Sequence, residues 1–216
     1  MGNTNFLYLL GALLVLLLGA PLAHDLGLGS EPVIRAVLFS ALLLVGVWSL
    51  RGGRGHFRFG MAFVVAGIVC NILAVNMESI VLGYGSMLAM LGFLIVAVSF
   101  TLRQVIFGTE MNVNRLVGAI CVFLLLGIIW SFTYALLELV APGSFKGFSP
   151  GHGPGQHSSW LYFSFVTLTT LGYGDVTPVS AVARSLAFMQ AVVGQFYVAV
   201  LVAGLVSAYI SDRRGS

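Results

Sequence analysis

Long apolar runs, broken by short polar breaks, set the pattern of this chain. A helix needs about 20 apolar residues to cross the roughly 30 Å hydrocarbon core of a bilayer. Runs of that kind occur at Phe6–Ala23, Val33–Leu50, Phe59–Asn76, Ser79–Leu102, Leu116–Val140 and Val182–Ile210. They predict six membrane-spanning helices, with spans three and four forming a tight antiparallel pair across the break at Met77 and Glu78. One apolar run does not fit. "SSWLYFSFVTLTT", Ser158–Thr170, has helical character and an N-cap in Ser158 or Ser159, but it is too short to span. It leads directly into "LGYGDVTP", in which closely spaced glycines break a helix, and then into the last full span. The chain is therefore expected to dip into the membrane as a re-entrant helix and return in extended form.

Composition supports a membrane setting. Of 216 residues, 59% are hydrophobic and 8% charged, with mean hydropathy +1.03, whereas a soluble domain carries about a quarter charged residues. The net charge of +3 comes without a basic stripe, which argues against a nucleic-acid partner. No CxxC, HExxH or phosphate-binding loop is present, so an enzyme is not expected, and Cys70 and Cys121 read as small buried hydrophobes. The first run lacks an initial Lys or Arg and a small-x-small site, so it is read as an uncleaved helix. Arg51, Arg54, Arg58, Arg103, Arg115, Arg213 and Arg214 all fall on one side if both termini are cytoplasmic. Arg35, Lys146 and Arg184 then lie near the outer side, with Asp25, Glu31, Glu78, Glu138 and Asp175.

Non-helical backbone at membrane depth is tolerated only where protein buries it or where it lines a water-filled path. If the carbonyls of Thr170, Leu171, Gly172 and Tyr173 share one direction, they can replace the water around a dehydrated cation. Successive carbonyls share a direction only if backbone handedness alternates, and Gly172 and Gly174 permit the positive φ this needs. The negative end of the short helix also favours a cation.

"TTLGYGD", Thr169–Asp175, resembles the filter of potassium-channel pore domains, and Leu116–Ile210 resembles their outer helix, pore helix, filter and inner helix in order. The resemblance implies potassium ions bound by oxygens of Thr170 (carbonyl and hydroxyl), Leu171, Gly172, Tyr173 and Gly174. It also implies support from Thr169 and Tyr162, and from Asp175 at the outer mouth bonding back toward the pore helix. Gly194 stands where such channels carry a hinge glycine. Glu138, followed by Ala141, Pro142 and Gly143, is similar to the glutamate that braces the loop behind the filter. Two departures stand out. Leu171 replaces the usual Val or Ile, its side chain being expected to pack behind the filter. Tyr162 and Phe163 replace a Trp pair, and Phe163 has no donor. A second triplet, "LGYGS" at Leu82–Ser86, lacks the flanking Thr pair and Asp and is read as a packing feature within a helix.

The implied protein is an all-α integral membrane homotetramer: six spans per chain, a re-entrant pore helix and an extended filter. One filter segment per chain requires four chains to close a carbonyl ring. The expected organisation is a four-helix peripheral domain over 1–103, voltage-sensor-like but uncharged, and a linker over 104–115. The pore domain follows over 116–211, with outer helix 116–140, turret 141–157, pore helix 158–169, filter 170–174 and inner helix 182–210. A short cytoplasmic tail occupies 212–216. Span four carries only Arg103, at its inner end, so little voltage dependence is expected. Val198, Val202, Val206 and Ile210 recur at helical spacing on the inner helix and are candidate pore-lining or gate positions. Gln190, Gln195, Asn71 and Asn76 are polar groups in apolar helices, where interhelical hydrogen bonds are the default, and Gln195 is also placed to touch the pore. His152 and His157 in the turret are read as solvated. The expected function is passive potassium conduction across a cell membrane, of prokaryotic type by resemblance. No cofactor is expected beyond potassium ions, and the partners are the bilayer, three further copies and an unidentified gating ligand or subunit. The alternatives are a non-selective cation channel and a channel-like membrane sensor or subunit.

Overall fold

The computed structural model describes residues 6–25, 54–77, 80–107, 113–148 and 157–214. The predicted second span, Val33–Leu50, and His152 lie outside the described residues, as do the side chains of His157, Asn71 and Asn76. The elements run α1 (Phe6–Asp25), α2 (Arg54–Asn76), α3 (Ile80–Phe107), α4 (Val113–Val140), β1 (Phe145–Lys146), α5 (His157–Leu168), β2 (Thr177–Pro178) and α6 (Ala181–Arg214). Among the described residues, three helical stretches are long and apolar enough to cross a membrane: Tyr84–Ile106, Asn114–Val140 and Ala181–Gly204. The chain divides into two compact units, Met1–Phe132 and Thr133–Ser216, with the boundary inside α4.

In the first unit, α2 and α3 pack as an antiparallel pair, and the register is legible from their glycines. A Cβ added at Gly67 would sit 3.5 Å from the Ala89 Cβ, and one at Gly85 would sit 3.5 Å from the Cys70 Sγ. At Gly92 it would come within 2.5 Å of the Phe63 ring. Small residues let two helices approach closely where no water drives them together. Gly85 belongs to the second GYG triplet, which is helical throughout within α3. Helix α1 buries Phe6, Leu9, Leu13 and Leu16, one stripe at helical spacing, while Leu7, Leu14, Val15 and Leu18 are exposed. Its first backbone NH donates to Asn114 Oδ1 at 3.0 Å, and the Phe6 ring fills the space that a Cβ at Gly118 would take. Arg115 closes the C-terminus of α3 by donating to the carbonyls of Val105 and Ile106, which offsets the negative helix end. Ser99 and Thr101 return their hydroxyls to Ile95 and Ala97 carbonyls one turn back, so neither presents a bare polar group to an apolar medium.

The second unit holds the pore-like segment. Helix α5 is 12 residues long, starting at His157 and ending at Leu168, one residue earlier at each end than expected. Helix α6 continues to Arg214 without interruption at Gly194. A feature that the apolar pattern does not announce is the two-residue antiparallel pair β1–β2, with Phe145 opposite Pro178 and Lys146 opposite Thr177. Its ladder extends through Val179 and Ser180, whose NH groups donate to the Ser144 carbonyl at 2.8 and 3.3 Å. Ser180 then caps α6, its hydroxyl accepting from the Ala183 NH at 3.2 Å.

Candidate functional site

The site is built at the C-terminus of α5. The Leu171 NH donates to the Val166 carbonyl at 2.9 Å and the Thr170 NH to the Thr167 carbonyl at 3.0 Å. This is the bond pair of a Schellman cap, which requires a left-handed residue at Thr170. Glycine normally fills that position. Here it is a threonine with φ +58°, and it is the only positive-φ non-glycine among the described residues. A β-branched side chain in this region costs on the order of 1–3 kcal/mol. Gly172 (φ +56°) and Gly174 (φ +80°) are also left-handed, so positive φ recurs at 170, 172 and 174. Sequence reasoning foresaw positive φ at the two glycines and named Thr170 for its oxygens, but not its left-handed backbone, because no local rule places a threonine there.

Residues around this segment hold it from several sides. At its N-terminal end, Gln195 Nε2 of α6 donates to Thr170 Oγ1 at 3.2 Å. The Thr169 hydroxyl donates to the Phe165 carbonyl at 2.7 Å, so it continues the cap. At the other end, the Tyr162 hydroxyl donates to Asp175 Oδ2 at 2.6 Å, while Oδ1 accepts from the Val176 NH at 2.9 Å. The Tyr162 bond, helped by that backbone NH, holds the Asp175 carboxyl below the usual carboxylate range. The Tyr162 and Tyr173 rings stack with centroids 6.5 Å apart and planes 10° apart. Within the protomer Leu171 is 55% exposed and Tyr173 67% exposed.

Behind the segment lies an aromatic cluster. Phe145 meets Tyr134, Trp160 and Phe163 edge to face at centroid distances of 5.5, 5.0 and 5.4 Å, and Tyr134 meets Phe163 at 4.9 Å. Phe163, without a donor, is an apolar member of this cluster; the polar tie is made by Tyr162. A buried network also joins three helices. The Tyr134 hydroxyl of α4 donates to Gln190 Oε1 at 2.5 Å, and Gln190 Nε2 of α6 donates to the Ser164 carbonyl and hydroxyl of α5 at 3.0 and 2.8 Å. The interhelical bond expected of Gln190 is present. Tyr134 escaped sequence reading because a tyrosine inside an apolar span shows no partner until Gln190 is brought beside it.

Glu138 accepts from the NH groups of Gly143 and Phe145 at 2.8 and 3.2 Å, fixing the turn that leads from α4 into β1. Gly147, also unannounced by the sequence pattern, has φ +98°, and a Cβ there would collide with the Asp175 carbonyl oxygen. Gly194 is buried, and a Cβ on it would collide with the Leu168 carbonyl oxygen, the last of α5. The glycine thus has a packing reason to be there, independent of any bending. Val198 and Val202 are exposed on α6 within the protomer. The backbones of Val206 and Ile210 are helical, and their side chains lie outside the described residues.

A short capped helix thus feeds a segment of alternating positive φ between two long apolar helices. The family model described as "Ion channel" matches residues 119–211, somewhat under half of the chain, and bears out the family resemblance over that stretch. A 56-residue stretch is 43% identical to "Two-pore potassium channel 3" of Arabidopsis thaliana, covering 26% of this chain and 13% of that protein. A 91-residue stretch is 33% identical to "Two pore potassium channel c" of Oryza sativa subsp. japonica, covering 39% of this chain and 20% of that protein. The similarity is to channels, not to enzymes. No solved structure matches the chain.

Proposed function

We propose that this protein is a potassium-selective channel, assembled from four copies, that passes ions passively down their gradient. The observation carrying this reading is the recurrence of positive φ at Thr170, Gly172 and Gly174 directly after a capped, too-short helix. That alternation is what lets successive carbonyls present oxygens on one side. The strained threonine adds weight, since strain of this kind persists where a site needs it. Potassium would be held by oxygens of Thr170, Leu171, Gly172, Tyr173 and Gly174, with Asp175, Tyr162, Thr169 and Glu138 in support. The exposed Leu171 and Tyr173 are the faces that neighbouring copies would cover. Helix α6 would line the path below through Val198, Val202, Val206 and Ile210, with Gly194 as the point about which it bends. The N-terminal spans would form a peripheral domain with little voltage response, and both termini would lie inside the cell. The names of the plant relatives agree with potassium as the cargo.

The test is flux. Liposomes containing the purified full chain should pass potassium under a potassium gradient, be blocked by barium and pass little sodium. Equal sodium and potassium flux would move the reading to a non-selective cation channel. An intact oligomer with no flux would refute conduction and leave a sensor or subunit.

A further inference from the structure

Gln195 belongs to the inner helix, yet its side chain ends on the hydroxyl of Thr170, the first residue of the candidate filter. We infer that Gln195 is a positioning residue for the innermost cation site, holding the Thr170 hydroxyl oxygen in place and setting how tightly a cation binds there. This rests on the proposed conduction pathway.

A threonine hydroxyl has two acceptor lone pairs and one proton. The Gln195 amide, donating at 3.2 Å, occupies one lone pair and restrains the χ1 rotation that would swing Oγ1 away. The second lone pair stays available to a cation. Among the described residues no other side chain donates to that oxygen, and the Thr170 backbone, left-handed at φ +58°, is in a sparsely populated region. Its hydroxyl therefore needs an external reference. The neighbouring residue supplies a firm one, because Gly194 brings α6 against the Leu168 carbonyl with no room for a Cβ. Two adjacent residues of α6 thus meet the end of α5 and the start of the filter segment. A displacement of α6 here carries the amide with it, so occupancy of the inner site and the position of the inner helix are coupled through one hydrogen bond.

The test uses the full chain and barium, a divalent cation close to potassium in size, as the probe. Barium binding is measured by calorimetry, which does not require conduction, and by block of potassium flux. Gln195→Met and Gln195→Leu keep the bulk and remove the donor. Each is expected to weaken barium binding about fivefold, the equivalent of one hydrogen bond. In a Thr170→Ala background, which has no hydroxyl to hold, the same substitutions should leave barium affinity where Thr170→Ala alone puts it. That coupling distinguishes positioning from a general loosening, which would shift affinity equally in both backgrounds. An equal shift in both backgrounds, or a change under twofold in both donor-free variants, overturns the inference while leaving conduction intact. A wild-type protein that neither conducts potassium nor binds barium overturns the channel reading and this inference with it.

Discussion

Gly194→Ala separates two explanations for a glycine in the middle of a long helix. If Gly194 serves only as a flexible point, alanine should help folding, since glycine in a helix interior is about 1 kcal/mol less favourable than alanine. The structure predicts otherwise. The new Cβ would collide with the Leu168 carbonyl oxygen and lie 3.0 Å from the Leu168 Cδ1. Backbone cannot rotate aside as a side chain can, so α6 must move away from α5 at an overpacking cost of about 1–3 kcal/mol. Gly204 lies on the same helix with nothing within 4 Å of its Cβ position, and provides the internal reference. Gly204→Ala should gain about 1 kcal/mol, and propensity cancels when the two variants are compared. Gly194→Ala should then be about 1–3 kcal/mol less stable than Gly204→Ala. At about 2–4 °C per kcal/mol for a chain of this size, the melting temperatures should differ by roughly 2–12 °C. Thermal unfolding in detergent, followed by tryptophan fluorescence with Trp160 as a buried reporter, reads the difference. Equal melting temperatures, or a more stable Gly194→Ala, would refute the close-approach argument and leave flexibility as the reason for the glycine.

Other substitutions test the supporting framework. Gln190→Leu removes three buried hydrogen bonds joining α4, α5 and α6 and should cost about 2–4 kcal/mol, seen as a lower unfolding temperature. Tyr162→Phe removes the donor that holds the Asp175 carboxyl low. Because that pKa is depressed, the Tyr162–Asp175 tie is present above it and lost as external pH falls through it. Acid inhibition of flux should therefore begin at a higher pH in Tyr162→Phe than in wild type; an unchanged profile would remove Asp175 as the titrating group. Glu138→Ala leaves the NH groups of Gly143 and Phe145 without their shared carboxylate and should cost about 1–3 kcal/mol, read by the same unfolding assay.

Length and periodicity made much of this fold legible. The short helix before "LGYGD" declared itself because no 12-residue helix spans a bilayer, and the second GYG triplet was told apart by its flanks. What stayed hidden depends on partners distant in the chain. Tyr134 and Gln190 are ordinary residues until packing joins them, and Gly147 has a reason only once Asp175 lies against it. Gly194 was visible as a glycine, but the carbonyl it accommodates belongs to a different helix.

Under the proposed conduction, the left-handed threonine that follows α5 sets stability and transport against each other at one position. Any scheme that improves proteins by applying helix-capping rules would choose glycine at residue 170, relieving the backbone and gaining thermal tolerance. It would also delete the hydroxyl on which Gln195 ends. Directed evolution for heat resistance alone should therefore drift toward Thr170→Gly, and selection that also demands ion uptake should keep restoring threonine. Comparing what accumulates at residue 170 under the two regimes would show how much stability the protein gives up to keep that oxygen.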